Sequence, residues 1–65
     1  MKKFIVKEAF SLSDTLFIKG DIVYAEYKNH DWGGMLWVVY HPDTRKKAGT
    51  MTDAGKSRFL QEKND

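Results

Sequence analysis

A chain of 65 residues makes one domain, residues 1–65, and buries so little surface that its folded state is only marginally stable. It has no cysteine, which excludes a disulfide and a thiolate metal site, and its apolar runs stay far below the roughly 18 residues of a membrane span. The composition, 42% hydrophobic and 31% charged, predicts a globular protein, while a net charge of +2 by itself points to no class of partner. The absence of cysteine and an N-terminal apolar run too short for a signal peptide predict a cytoplasmic location.

The N-terminal third predicts short extended segments separated by turns. Residues 3–10 read as a first strand, although Glu8 interrupts the alternation, and the Ser- and Asp-rich residues 11–15 predict a loop. Residues 16–18 are extended, and the K-G-D sequence that follows is a turn in which Gly20 can take a positive φ.

Residues 22–28 predict the second main strand by their alternation of side chains. Val23, Ala25 and Tyr27 fall on one face, which is apolar or amphipathic throughout and is therefore assigned to the core. Tyr24 falls on the opposite face.

Residues 35–41, MLWVVYH, are the strongest strand signal in the chain because they are β-branched, aromatic and uninterrupted. Both faces of this strand are apolar. Either a strongly curled barrel wraps it, or one face meets a partner. Of the two tryptophans, Trp37 is predicted to lie in the core.

The C-terminal third predicts a hairpin and a short helix. Pro42 ends the preceding strand and begins a turn, and residues 48–51 return as a strand. Thr52 and Asp53 then cap a helix that could run to about Lys63, although one or two turns are the safer length. The predicted fold class is mainly β: a small barrel of about five strands with a short C-terminal helix or 3-10 turn.

Several short motifs resemble those of SH3 domains. Residues 14–23, DTLFIKGDIV, are similar to the segment D-x-L-x-F-x-x-G-D with two apolar residues after it, although Thr15 and Leu16 are swapped. The D-W pair at 31–32 resembles the start of the third SH3 strand. The G-T-M sequence at 49–51 lies where SH3 domains have a glycine followed by an aromatic or apolar residue. Phe59 lies near the position of the aromatic residue that closes the SH3 peptide groove. The resemblance spans residues 4–60 and implies an SH3-like barrel.

The departures from these families bear on function. The groove tyrosines of the SH3 A-L-Y-D-Y segment and the proline of the final 3-10 turn are missing, so polyproline binding is not expected. Residues 20–25 also resemble the opening strand of MazF-like ribonuclease toxins, and residues 33–34 and 38–39 resemble the second strand of that family. Met35 and Leu36 replace the catalytic Arg-Pro of that family, so nuclease activity is not expected either.

The residues that could carry chemistry form no catalytic pattern. His30 and His41 have no nucleophile or ligand at a useful spacing, and Ser11, Ser13 and Ser57 lack a nucleophile-elbow context. The sequence therefore predicts no enzyme, no metal, no cofactor and no small-molecule substrate.

The plentiful aromatic residues indicate a protein-binding module instead, because Tyr and Trp are common anchors of interfaces. The candidate contact residues are Tyr24, Tyr27, Trp32, Tyr40 and Phe59. The partner would be another protein or a second copy of the chain. A phage- or plasmid-type accessory protein that inhibits or adapts another protein is one context for such a module.

Two alternatives stay open. The first is a nucleic-acid-binding barrel, in which the basic residues of the 45–58 region contact phosphate: Arg45, Lys46, Lys47, Lys56 and Arg58. The second is a small structural subunit that assembles with copies of itself.

Overall fold

The computed structural model describes residues 1–30 and 34–63, and this part of the chain contains seven strands and one helix. In chain order they are β1 (Lys2–Val6), β2 (Phe10–Leu12), β3 (Thr15–Phe17), β4 (Ile22–Asn29), β5 (Met35–Tyr40), β6 (Lys47–Met51), α1 (Asp53–Phe59) and β7 (Leu60–Glu62).

Five of the strands form one antiparallel sheet in the order β6-β5-β4-β1-β7, and β2 and β3 form a separate hairpin. Within the described residues, β6 and β7 are the two edges of the large sheet. The predicted fold class, mainly β with a short C-terminal helix, is confirmed. The likeness to an SH3 barrel stays a prediction.

One face of the large sheet, the inner face, carries most of the core. Val23 and Ala25 of β4 are fully buried, as predicted, and pair in register with Phe4 and Lys2 of β1. The β2-β3 hairpin covers this face, because a side chain at Gly49 of β6 would meet Leu12. The core cluster consists of Phe4, Val6, Phe10, Phe17, Val23, Ala25, Val39, Ala48 and Leu60.

The chain between β1 and β3 differs from the sequence prediction. A single strand over residues 3–10 and a loop over 11–15 are both wrong, because β1 ends at Val6 and residues 10–17 form a hairpin. The hairpin forms because Phe10 and Phe17 stack with ring centroids 5.1 Å apart and bury together against the core. Glu8, which interrupts the alternation, lies in the exposed link between the two strands.

The turn before β4 is confirmed. Gly20 has φ +97°, and its N–H donates to the carbonyl of Val6 at 2.9 Å. The Asp21 N–H donates to the Ile18 carbonyl, and the Asp21 carboxylate accepts from the Ile18 N–H, both at 3.0 Å. The turn therefore needs a residue that tolerates left-handed backbone, followed by a short polar side chain.

Gly20→Ala is expected to lower the free energy of unfolding by about 1–2 kcal/mol, because an L side chain is strained at this φ. No atom lies within 4 Å of the added Cβ, so the loss reports backbone strain alone. Gly55→Ala is the matched control. It lies within α1 with only ordinary contacts around its Cβ, and it should stabilise by about 0.5–1 kcal/mol. Urea unfolding followed by circular dichroism measures the free energy of unfolding of both variants. Equal effects would contradict the assignment of backbone strain to position 20.

Tyr27 was predicted to lie in the core, and the structure contradicts this: its side chain is 47% exposed. The reason is strand length. β1 begins at Lys2, opposite Ala25, so residues 26–29 of β4 extend past it. The same residues pair with β5, where Tyr27 lies opposite Trp37.

The two faces of β5 differ in their surroundings. On the inner face Val39 is fully buried and Trp37 packs against the core. On the opposite, outer face Val38 is 3% exposed, whereas Leu36 and Tyr40 are half-buried. Each face of β5 thus has one buried residue, and the only exposed residue of the strand, Met35, lies at its start on the inner face.

The C-terminal segment confirms the predicted cap and the preferred length of one or two turns, and it contradicts the longer option to Lys63. The Thr52 side chain accepts from the Gly55 N–H at 3.2 Å at the start of α1. The helix does not reach Lys63, because the chain leaves it at Phe59 and pairs with β1, placing Leu60 opposite Val6. Of the described residues, no helix is both long and apolar enough to cross a membrane.

Candidate functional sites

The predicted contact residues lie in different places. Tyr24 and Tyr40 are cross-strand partners on the outer face, whereas Tyr27 lies on the inner face. Phe59, half-buried, packs against Phe10 with ring centroids 5.3 Å apart. Trp32 lies outside the described residues. Alternation within residues 22–28 separates Tyr24 from Tyr27, but placing Tyr40 beside Tyr24 requires the register between the strands.

Tyr27 and Trp37 form the wall of a shallow groove. Their ring centroids lie 5.0 Å apart with the planes tilted by 34°. The cavity beside them has a volume of about 310 Å³ and lies between the start of β1 and residues 25–27 of β4. We call it the aromatic groove, and it is lined by Met1, Lys2, Ala25, Glu26, Tyr27 and Trp37.

Trp37 is held in place from three sides. Its indole N–H donates to Oδ1 of Asp53 in α1 at 2.9 Å. Its ring meets Phe4 edge to face at 5.6 Å, and the Lys56 ammonium lies 4.8 Å from its centroid. The residue predicted to belong only to the core therefore also provides a rigid wall of the groove.

Of the five large apolar residues that are exposed in the described part of the chain, three lie at or near the aromatic groove, and the other two, Leu16 and Ile18, lie in and just after β3. Met1 and Tyr27 line it and are 56% and 47% exposed. Met35, which is 43% exposed, precedes Trp37 by two residues on β5 and therefore points to the same side of the sheet. Apolar surface collected in one place is typical of an interaction site, whereas isolated exposed residues are not.

A second surface lies on the outer face around Tyr24. The Arg45 guanidinium carbon lies 3.9 Å from the centroid of the Tyr24 ring. Tyr40 lies opposite Tyr24 on one side, and Lys3 lies opposite it on the other. Lys47 of β6 is in register with Tyr40, beyond a bulge in the pairing. We call Tyr24, Tyr40 and Arg45 the tyrosine–arginine patch.

The five basic residues predicted to contact nucleic acid do not form one strip. Arg45 and Lys47 lie at the Tyr40 end of β5. Lys56 lies over Trp37, which is opposite Met51 at the other end of β6.

The other two members of that set differ in their surroundings. Arg58 forms an ion pair with Glu8 at 3.1 Å, and its guanidinium lies 5.2 Å from the Phe59 ring. Lys46 is exposed between Arg45 and Lys47. Of the five, Arg45 covers Tyr24 and Lys47 is in register with Tyr40, and the exposed Lys46 lies between them in sequence.

A third concave surface lies between β3 and the turn after β5. It has a volume of about 460 Å³, and its lining includes Leu16, Pro42 and the carboxylates of Asp21 and Asp43. The Asp21 carboxylate is engaged by the Ile18 N–H. Residues 1–30 and 34–63 bring no three metal-ligating side chains together.

Comparison with known proteins gave no match for this chain among protein-family models, curated proteins or solved structures.

Proposed function

We propose that this chain is a non-enzymatic protein-binding module that holds an extended segment of another protein in the aromatic groove. The observation that carries the proposal is the exposed ring of Tyr27 held beside the indole of Trp37. Burying such a pair removes a large apolar area from water, which is the dominant favourable term in most associations.

Rigidity supports the groove as a binding site. The hydrogen bond from Trp37 to Asp53 and the packing on Phe4 fix the indole before any partner arrives. A wall that is already ordered loses little side-chain entropy on binding, so more of the burial energy appears as affinity. Tyr and Trp are also the residue types that most often dominate the binding energy of an interface.

The edge of β4 supports an extended conformation for the bound segment. In the described part of the chain, residues 26–29 of β4 pair with β5 and continue past the start of β1. An incoming strand could continue the line of β1, bonding to this edge while its apolar side chains reach Tyr27 and Met1. Hydrogen bonds between the backbones of β4 and the bound segment would supply affinity, and the aromatic groove would select an apolar side chain of that segment.

A module of this kind would inhibit its partner protein by occupying the bound segment, or it would act as an adaptor that links the partner to a further protein. Both fit the accessory role predicted from the sequence. An SH3-like barrel remains the proposed fold family. Because the SH3 groove tyrosines are replaced, the proposed segment is apolar and extended and not a polyproline helix.

A random peptide library displayed on phage and selected on the immobilised protein tests the proposal. Enriched peptides should share a large aliphatic or aromatic residue, and Tyr27→Ala should weaken their binding at least ~10-fold because it removes an exposed anchor. Tyr24→Ala is the matched control, since it removes the same side chain from the other face.

The indole N–H resonance of Trp37, identified by its loss in Trp37→Phe, locates the bound peptide by NMR. Its shift should move on titration, because the indole lines the groove. Failure to enrich any peptide, or equal loss in the two tyrosine variants, would overturn the proposal. Concentration-dependent sedimentation without peptide would instead assign the groove to a second copy of the chain.

A further inference from the structure

Arg45 occupies a backbone conformation that arginine rarely adopts. Its φ is +61°, in the left-handed region. The turn is closed by a hydrogen bond from the His41 N–H to the Lys46 carbonyl at 2.9 Å and by one from the Arg45 N–H to the His41 carbonyl at 3.0 Å. Glycine or asparagine would fit this position with less strain, so the turn itself gives no reason for an arginine.

The side chain of Arg45 supplies a reason. Its guanidinium lies over the Tyr24 ring at 3.9 Å, a distance that places the charged group against the ring face. Tyr40 lies directly opposite Tyr24 on the next strand. The strained turn therefore places a planar cation over one of two neighbouring tyrosines on a half-buried sheet face.

The charges around the patch are mostly positive. Lys46 and Lys47 are exposed beside Arg45, and Lys47 is in register with Tyr40. Asp43 is the acidic residue of the turn. Farther along β4, Glu26 lies 3.9 Å from the Lys28 ammonium, which offsets it. The patch thus combines planar groups with an excess of cations on one side.

We propose that the tyrosine–arginine patch binds single-stranded nucleic acid. Unstacked bases stack on the Arg45 guanidinium, which covers Tyr24, and on the neighbouring Tyr40 ring, while Lys46 and Lys47 contact the phosphates. The charge complementarity favours a polyanion, and the planar groups favour one that carries bases over an acidic polypeptide. The proposal is independent of the aromatic groove, which lies on the other face.

Fluorescence anisotropy with a labelled oligo(U) or oligo(dT) of about 12 nucleotides tests this, since that length exceeds the smallest known single-strand sites. Two phosphate contacts predict that affinity falls ~7-fold between about 50 and 200 mM salt. Unlabelled duplex DNA and polyglutamate serve as competitors. Both should compete weakly, because neither offers exposed base faces.

Arg45→Gly separates binding from folding. It removes the charge and the stacking group but relieves the backbone, so affinity should fall at least ~10-fold while the Tm stays equal to or above that of the parent. Arg45→Lys keeps the charge without the planar group, so its affinity for the oligonucleotide should lie between that of the parent and that of Arg45→Gly. Tyr27→Ala, in the aromatic groove, should bind oligonucleotide as the parent does.

Three results would overturn the proposal: no binding at about 50 mM salt, full binding by Arg45→Gly, or the same affinity for Arg45→Lys as for the parent. Competition by polyglutamate as strong as by unlabelled oligonucleotide would also overturn it and assign the patch to an acidic protein. None of these results affects the aromatic groove, whose peptide binding is measured with Tyr27→Ala.

Discussion

Phe4→Ala is expected to remove a large part of the protein's stability at 25 °C. Phe4 is fully buried at the centre of the core cluster, and its ring supports Trp37 edge to face. Truncation of a buried phenylalanine costs about 3–5 kcal/mol. A domain of 65 residues has only about 3–10 kcal/mol of stability in total. Circular dichroism and the urea midpoint measure the loss.

Two further variants keep this prediction testable if Phe4→Ala does not fold. Phe4→Leu retains most of the apolar volume and should lower the free energy of unfolding by a smaller, measurable amount. Ile5→Ala changes the neighbouring residue of β1, which is half-buried on the other side of the strand, and should cost less than Phe4→Ala. If Ile5→Ala proves the more destabilising, the assignment of the inner face is wrong.

The loss of peptide binding should accompany the loss of stability in Phe4→Leu. Phe4 supports Trp37 from within the core, so a smaller side chain there leaves the indole less firmly placed. Phe4→Leu would weaken peptide binding because the aromatic groove is less pre-organised, and not because its contact area is smaller.

Leu60→Ala is expected to lower the free energy of unfolding by about 2–5 kcal/mol. Leu60 is 2% exposed and lies opposite Val6, so it joins the last strand to the first. Gln61→Ala, the exposed neighbour on β7, is the matched control and should change stability by no more than about 0.5 kcal/mol. Thermal and urea unfolding measure both variants.

A large effect of Leu60→Ala would distinguish a final strand from the end of a helix. The sequence predicts a helix that could continue to about Lys63, in which Leu60 would only help to anchor one or two turns. Leu60→Met keeps the volume and should cost less than about 1.5 kcal/mol. Equal effects of Leu60→Ala and Gln61→Ala would contradict the placement of β7 beside β1.

The two main strands could be predicted because their signals are local. The β-branched and aromatic runs at 22–28 and 35–41 favour extended backbone whatever they pair with, and they became β4 and β5. The Gly20 turn and the Thr52 cap were predictable for the same reason. Each depends on a backbone conformation or a hydrogen bond within three residues.

The hairpin and the last strand could not be predicted, because their partners are distant in sequence or depend on packing. Phe10 starts β2 only because it stacks on Phe17 and also packs against Phe59. Leu60 leaves the helix only because Val6, near the other end of the chain, offers it a buried place in the sheet. Burial outweighs local propensity at both positions.

In the candidate sites, too, local features could be predicted and features that depend on distant packing could not. The sequence identified Tyr24, Tyr27 and Tyr40 as possible contact residues, but it placed Tyr27 in the core. Register and strand length decide that Tyr27 is exposed beside Trp37, because β4 extends past the start of β1. The sequence also grouped all five cations of the 45–58 region, but the fold places Arg45 and Lys47 at one end of β6, Lys56 at the other, and Arg58 against Glu8.

The sequence by itself determined a mainly β chain with a short C-terminal helix, two strong strands, the Gly20 turn and a supply of aromatic and basic residues. Propensity, alternation and turn chemistry act over a few neighbours, so they can be read directly. Only the tertiary structure decided which aromatics meet and which cation covers Tyr24. A shift of one residue in register exchanges the two faces of a strand, and register depends on the whole core.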